Sequence, residues 1–329
     1  MAGLPEKIDP VQLARLGSLP IKARVIVEGA LSGLHRASLR GSSVEFAEHK
    51  EYSPGDDLRH LDWKTYAKKD RYYVKQFEQE SQLTIYLVLD SSGSMAFRGG
   101  GALSKLEYAG LSLAAFAYLA IQQQDKVGLV ASGGRRPGAG RARSATGGGA
   151  EVERDVEVLV PPRARTTHLH DLLAVLDTVI TRGGAGDESP ASALGRIAEM
   201  SRRKRALILL ASDLFDASED TLRALVQLRA QRHDVSVLHV LDPHELTFPY
   251  DGLTRFEALE SEHAMLVNPG AIQRDYLDRM NEFLARCKRT LDGAGVDYHL
   301  ASTERPLEAT LLDLLVARSR LGAAPARRT

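Results

Sequence analysis

Two runs of apolar residues, each ending in an aspartate, limit the possible folds of this chain more than any other feature. "LTIYLVLD" spans residues 83–90 and "ALILLASD" spans residues 206–213. A strand that is apolar on both faces has to be buried on both faces, which is the situation in a parallel sheet covered by helices. The two runs therefore predict central strands of such a sheet, with Asp90 and Asp213 at their carboxyl ends.

The rest of the chain alternates between strand-like and helix-like patterns. Further strands are predicted at "KVGLVA" (126–131), "VSVLHVLD" (235–242) and "VDYHLA" (296–301). Apolar residues at helical spacing predict helices over residues 104–123, 168–180, 191–203, 218–231, 271–291 and 306–320. Strands that alternate with helices are typical of an α/β fold, here a doubly wound, mainly parallel sheet.

The predicted sheet domain covers residues 81–321 and includes a small hairpin insertion at residues 254–267. Residues 1–80 are predicted to form an N-terminal extension of short helices and strands, which carries the segment "YSPGDDLRHLDWK". Residues 322–329 have the composition of a disordered tail.

Composition and charge argue against several classes of protein. The chain has 43 basic and 43 acidic residues, so its net charge gives no reason to expect a nucleic-acid partner. The Gly- and Arg-rich loop at residues 133–149 is basic, but no aromatic residues interleave its arginines. Cys287 is the single cysteine, which excludes an intrachain disulfide and a four-cysteine zinc site. Without a signal peptide or a long apolar run, we expect a cytoplasmic protein that has no membrane span.

Oxygen-bearing side chains follow the first central strand. Asp90 is followed by Ser92 and Ser94 in "DSSGS". Ligands of doubly wound sheets bind beyond the carboxyl ends of the strands, and carboxylates that meet there repel each other unless a cation lies between them. Mg²⁺ prefers oxygen ligands, so the pattern predicts a site for Mg²⁺ or for another divalent ion such as Mn²⁺ or Ca²⁺. The alternative is that these residues only cap a helix.

The pentapeptide resembles the metal-ion-dependent adhesion site of von Willebrand factor A domains, which have a doubly wound fold. The resemblance implies that a later strand-end Asp and a Thr from a second loop complete the metal site. Asp213 in "LLASDLFD" matches the former. Thr167 in "RTTHLHDLL" is chosen for the latter because it directly precedes a predicted helix, with Thr166 as its alternative. Arg165 stands where the family has a small residue, and "SDL" replaces the commoner Ser-Asp-Gly.

A longer resemblance covers nearly the whole chain. "EYSPGDDLRHLDWKTYAKKDRYYVKQFEQE" (51–80) and later blocks at residues 242–261 and 295–319 resemble the bacterial domain of unknown function fifty-eight family, whose genes usually neighbour MoxR-type AAA+ ATPases. Within the first block, we expect Trp63 to anchor the segment on the main domain.

The resemblance implies a non-catalytic, metal-dependent interaction module that acts as an adaptor for such an ATPase in protein maturation or remodelling. The ATPase or its client would contribute an Asp or Glu to the metal. The alternative is a metal-dependent hydrolase that uses Asp90 and Asp213, although "SSGSMAF" lacks the Gly-x-Ser-x-Gly pattern of a serine nucleophile.

Overall fold

The computed structural model describes residues 17–38, 49–51, 73–75, 82–132, 158–183, 189–202, 204–215, 219–257 and 264–322. The predictions for Trp63, for the loop at residues 133–149 and for the tail beyond residue 322 lie outside these residues. The strands are β1 (His49–Glu51), β2 (Tyr73–Lys75), β3 (Thr84–Asp90), β4 (Lys126–Ser132), β5 (Val158–Arg163), β6 (Leu207–Ser212), β7 (Asp234–Leu241), β8 (Thr254–Glu257), β9 (Ala264–Val267) and β10 (Asp297–Ser302). The helices are α1 (Leu19–Ser38), α2 (Lys105–Gln122), α3 (Thr166–Arg182), α4 (Pro190–Met200), α5 (Glu219–Ala230), α6 (Pro243–Thr247), α7 (Pro269–Gly293) and α8 (Leu307–Gly322).

A six-stranded sheet forms the centre of the main domain, in the order β10-β7-β6-β3-β4-β5. All neighbouring strands are parallel except β5, which is antiparallel to β4. The chain winds outward from β3 in one direction and then from β6 in the other, so the topological switch point lies between these two strands. The predicted doubly wound, mainly parallel α/β sheet is confirmed. The predicted hairpin insertion is also present as the antiparallel pair β8–β9.

Side chains of β3 alternate between two hydrophobic cores, one on each face of the sheet. Ile85, Leu87 and Leu89 belong to the core that also contains residues of α1, α2, α3 and α8. Tyr86 and Val88 belong to the other core, together with residues of α4, α5 and α7. Successive side chains of a strand point to opposite faces, so a strand covered on both faces is apolar throughout. Its first charged side chain, Asp90, is the last residue of the strand.

The chain divides into two compact units, residues 1–31 with 83–329 and residues 32–82. The predicted boundary at residue 80 therefore differs from the division in the structure. Helix α1 crosses the division, and its first half carries Leu19, Ala23 and Ile26, which are buried in the core that contains α2. Within the second unit, β1 and β2 form an antiparallel pair. None of the described helices is long and apolar enough to cross a membrane.

Strand β5 was not predicted, because its sequence "VLVPPR" contains two prolines. Proline cannot donate a hydrogen bond to a neighbouring strand, so it is tolerated on an edge strand such as this one. The pairing of β4 with β5 shifts register between Val127 and Leu129, at Gly128. A Cβ atom at Gly128 would lie 2.9 Å from the carbonyl oxygen of Val160 and 3.0 Å from the nitrogen of Pro162. The close approach of β5 therefore requires glycine at this position.

We expect Gly128→Ala to lower the free energy of unfolding by about 1–3 kcal/mol, because the added methyl group meets backbone atoms that cannot move aside. Gly195→Ala is a matched control. Gly195 lies in α4, where nothing lies within 4 Å of an added Cβ, so the alanine there should stabilise the protein by about 0.5–1 kcal/mol. Urea denaturation of both variants measures the two effects. If Gly128→Ala did not lower the free energy of unfolding relative to Gly195→Ala, the prediction would be contradicted.

Candidate functional site

The structure brings Asp90 and Asp213 to the same edge of the sheet, at the topological switch point. Asp90 is the last residue of β3, and Asp213 directly follows β6, the neighbouring parallel strand. Both side chains are buried, with 2% and 1% of their surfaces exposed. We call Asp90, Ser92, Ser94 and Asp213 the strand-end site.

Asp90 carries a negative charge that its hydrogen-bond donors only partly compensate. The backbone N–H of Ser92 donates to one of its oxygens at 3.0 Å, and the hydroxyl of Ser212 donates to the other at 2.6 Å. Burial, and then the charge of Asp213, raise the pKa of Asp90 to about 6, although these donors oppose the shift. A cation beside Asp90 would relieve the cost of its ionised form.

Ser92 and Ser94 place two neutral oxygens beside Asp90. Their Oγ atoms lie 3.2 Å apart, and a short 3-10 turn, Gly93–Ala96, begins just after Ser92. The Ser92 side chain makes no capping hydrogen bond to this turn, so helix capping does not explain its position. A carboxylate with adjacent hydroxyls is an oxygen-only donor set of the kind that Mg²⁺ and Ca²⁺ prefer.

Leu214 takes the place of the glycine that commonly follows the second aspartate. Its φ angle is 55°, in the left-handed region that glycine adopts most easily. The Leu214 side chain is buried, and its N–H donates to the Ser212 hydroxyl at 2.9 Å. The backbone therefore keeps the glycine-like turn although the sequence departs from the common pattern.

Thr167 is not brought to the strand-end site, and the prediction that it joins the other four residues is wrong in this structure. Strand β5 runs antiparallel to β4, so Arg163 at its end lies opposite Val127, near the start of β4. Asp90 lies opposite Ser132, at the other end of β4. The next helix begins with Thr166 and Thr167, and the His168 ring lies 2.8 Å from the Val127 carbonyl oxygen. Both threonines are therefore at the far edge of the sheet.

Helices α3 and α4 are joined by a connection at residues 183–189. Of this connection the structure describes Gly183 and Ser189. The Ser189 hydroxyl accepts from the N–H of Ala191 and lies 2.9 Å from the hydroxyl of Thr221, in the first turn of α5. Helix α5 follows β6, which ends at Ser212.

The sequence analysis also did not identify Lys105, a buried lysine next to Asp213. Lys105 is the first residue of α2, and its ammonium lies 2.6 Å from Asp213 Oδ2 and 2.6 Å from Glu245 Oε1. The Lys105 side chain is 0% exposed, and that of Glu245 is 13% exposed. Burial raises the pKa of Glu245, although the ammonium opposes this shift. We call Lys105, Asp213 and Glu245 the lysine cluster.

The sequence contained a signal for this lysine. A positive charge in the first turn of a helix opposes the helix dipole, so acidic residues are preferred there. Lys105 nevertheless follows Ser104, which caps α2 in a capping box with Glu107. Lys105 is therefore unfavourable at this position on local grounds, because it lies between a strong cap and an apolar helix. Its presence indicates an acidic partner from elsewhere in the chain.

Asp242 fixes the loop that leads into α2. Its carboxylate accepts hydrogen bonds from the N–H groups of Gly99, Gly100 and Gly101 and also from His244. Burial favours a higher pKa for Asp242, but these donors outweigh it and lower the pKa. An added Cβ at Gly99 would lie 2.7 Å from the carboxylate. The glycines thus allow the backbone to wrap around Asp242, which follows the neighbouring strand β7.

His239 lies beneath the strand-end site but has no free nitrogen. One ring nitrogen lies 2.7 Å from the Tyr298 hydroxyl and the other 2.7 Å from the Asp213 carbonyl oxygen. The ring is fully buried, and this burial lowers its pKa to about 4. His239 is therefore a neutral, structural histidine at pH 7.

The oxygen donors of Asp90, Ser92 and Ser94 fit a divalent cation in chemistry and in charge. When ionised, the carboxylates of Asp90, Asp213 and Glu245 and the single Lys105 ammonium carry a formal charge of −2, which one divalent ion would balance. Among the described residues, no three His, Cys, Asp or Glu side chains are arranged to hold a metal. A cation would therefore depend on the serine hydroxyls as well as on Asp90.

Comparison with other proteins finds bacterial relatives and several similar solved structures. An uncharacterized protein of Mycobacterium tuberculosis and one of Mycobacterium bovis are each 28% identical over 320 residues, which cover 95% of this chain and 91% of the relative. Similar solved structures include the conserved hypothetical protein BatB of Bacteroides thetaiotaomicron, with a TM-score of 0.46 and 12% identity over 74% of this chain and 100% of that one. An aerotolerance-related membrane protein of Bacteroides fragilis has a TM-score of 0.47 and 14% identity over 72% of this chain and 99% of that one.

The sequence profile of one family matches residues 48–147 and 140–282, which is well over half of the chain. These matches include the strand-end site and the lysine cluster as well as the segment before β3. The chain belongs to the family described as protein of unknown function DUF58.

Proposed function

We propose that this protein is a non-catalytic interaction module that binds a protein partner through a divalent cation held by Asp90, Ser92 and Ser94. The observation that carries the proposal is the group of oxygens around Asp90 at the switch point, where doubly wound sheets bind their ligands. Asp90 is buried, and its pKa is raised to about 6. The two serine oxygens are 3.2 Å apart and do not add negative charge.

The partner would supply an Asp or Glu side chain. A divalent ion at Asp90 supplies the positive charge that attracts this carboxylate. Ser92 is buried and Ser94 is half-buried, so a partner would approach the ion from the side of Ser94. The family resemblance suggests a MoxR-type AAA+ ATPase, or a client of that ATPase, with this chain acting as an adaptor in protein maturation or remodelling.

The alternative function, a metal-dependent hydrolase, needs a base within reach of a water molecule at the site. Both nitrogens of His239 have partners, and the carboxylate of Glu245 is bonded to Lys105 and to the N–H of Asp242. His239 and Glu245 are the candidate bases described next to Asp213, and neither is free to accept a proton. This arrangement supports a binding role over a catalytic one.

A pull-down with a MoxR-type ATPase from the same organism tests the proposal. Capture should depend on Mg²⁺, be lost in EDTA, and be lost in the Ser92→Ala/Ser94→Ala variant, because two metal ligands are removed while the charge stays the same. Ser192→Ala/Thr178→Ala removes two hydroxyls whose hydrogen bonds lie at exposed positions, and this control should bind like the wild type. If the Ser92→Ala/Ser94→Ala variant still captured the ATPase in EDTA, binding would use another surface.

A further inference from the structure

The lysine cluster places a cation at the strand-end site without any bound ion. Asp213 Oδ2 accepts from the Lys105 ammonium, and Oδ1 accepts from the N–H of Phe215 at 3.1 Å. Each oxygen of this carboxylate therefore has a donor from the protein. Among the described residues Asp90 has no such cation, and its donors are the hydroxyl of Ser212 and the N–H and side chain of Ser92.

The surroundings of the ammonium are built for a positive charge. Its nitrogen lies 4.8 Å from the ring centroid of Phe215 and 5.9 Å from that of Phe97. Aromatic faces attract cations, more strongly when water is excluded. With two carboxylates at 2.6 Å and 0% exposure, the ammonium has the surroundings of a bound ion.

The ammonium also joins three segments that are distant in sequence. Asp213 is 108 residues from Lys105, and Glu245 is 140 residues from it. They follow the neighbouring strands β6 and β7, while Lys105 starts the helix that follows β3. Two carboxylates shielded from water and held this close repel each other unless a positive charge lies between them. A divalent ion could meet this need, and here a side chain does so.

We propose that Lys105 is a tethered cation that takes the place of a divalent ion between Asp213 and Glu245. As a consequence, Asp213 pairs with the ammonium and does not serve as a metal ligand, and a divalent ion is confined to Asp90, Ser92 and Ser94. The part about Asp90 rests on the proposed function, whereas the part about Asp213 and Glu245 does not.

Removal of the ammonium should turn the lysine cluster into a metal site. Lys105→Met leaves the carboxylates of Asp213 and Glu245 without a cation. The Lys105→Met/Glu245→Gln variant also removes one negative charge, so its net charge equals that of the wild type and it should fold more readily. Lys288→Met is the control, since Lys288 is 60% exposed and pairs with Asp292 on the surface of α7.

Calorimetric titration with Mn²⁺, and thermal unfolding in EDTA and in excess Mn²⁺, give the readout. We expect both Lys105 variants to bind Mn²⁺ at least tenfold more tightly than the wild type, and their melting temperatures to rise more on addition of Mn²⁺. The control should match the wild type in both measurements. Unchanged Mn²⁺ affinity in the double variant would overturn the proposal, as would failure of both variants to fold in Mn²⁺.

The outcomes separate this inference from the proposed function. A wild type that does not bind Mn²⁺ contradicts the proposed function, but the inference stands if the Lys105 variants gain binding. A wild type that binds Mn²⁺ as tightly as both Lys105 variants supports the metal at Asp90 and overturns the role of Lys105.

Discussion

Asp90→Ala should abolish detectable Mg²⁺ binding while the protein remains folded. Among the ligands proposed for the ion, Asp90 is the one that is charged. A charge pair about 4 Å apart contributes about 4 kcal/mol at the effective dielectric constant of a protein surface. We therefore expect the Mg²⁺ affinity to fall at least ~100-fold, the equivalent of about 2.7 kcal/mol. The fold should persist because Asp90 is the last residue of β3 and belongs to neither hydrophobic core.

Calorimetric titration of the wild type and the variant measures this loss, and circular dichroism checks the fold. Asp171→Ala is the matched control, because Asp171 is exposed on α3, which begins at the opposite edge of the sheet. Equal Mg²⁺ affinities for the wild type and Asp90→Ala would show that Asp90 does not hold the ion.

In EDTA, the wild type should lose stability as the pH rises from about 4 to about 6, relative to Asp90→Asn. The pKa of Asp90 is raised from 3.8 to about 6 in the folded protein. Between these values the folded protein holds a proton that the unfolded chain has released, so deprotonation with rising pH favours unfolding. A shift of this size corresponds to about 3 kcal/mol. The asparagine variant keeps the shape of the side chain but does not ionise.

The comparison between the two proteins is necessary because His239 titrates over part of the same range. Its pKa is lowered to about 4, so its contribution to stability is lost as the pH falls and has the opposite sign. Both proteins contain His239, and its effect cancels in the difference. Urea denaturation of each protein at several pH values gives this difference. If it stays constant from pH 4 to pH 7, the pKa of Asp90 is not raised. Excess Mg²⁺ should remove the dependence, because the ion favours the ionised carboxylate.

The central strands could be predicted because each is one continuous run of mostly apolar residues, and such a run indicates burial. "LTIYLVLD" and "ALILLASD" are almost entirely apolar before the aspartate, and the structure has β3 and β6 at these segments. The same runs predicted that Asp90 and Asp213 would meet at one edge. This prediction follows from parallel pairing alone and needs no knowledge of side-chain contacts.

Thr167 was misplaced because one strand was missed. In a doubly wound sheet, a helix that follows a parallel strand starts at the carboxyl edge, so a threonine before a helix is a reasonable candidate ligand. The prolines of β5 concealed an extra antiparallel strand. That strand carries the chain to the opposite edge before α3 begins, and the start of the helix moves with it.

The lysine cluster was beyond the reach of local sequence patterns. Lys105, Asp213 and Glu245 come from three separate segments, and each has a plausible local role as a helix-start or strand-end residue. Only the order of the strands brings β6 beside β3 and β7 beside β6, and the strand order was not predicted. The unfavourable position of Lys105 in the helix dipole was the available hint.

The two prolines in β5 also affect how this edge of the sheet can pair with another strand. Strand β5 is an edge of the six-stranded sheet, and an edge strand with free N–H groups can pair with a strand of another molecule. Pro161 and Pro162 have no N–H to offer. At these two positions, the covalent structure of the strand itself therefore disfavours pairing with a strand of another molecule.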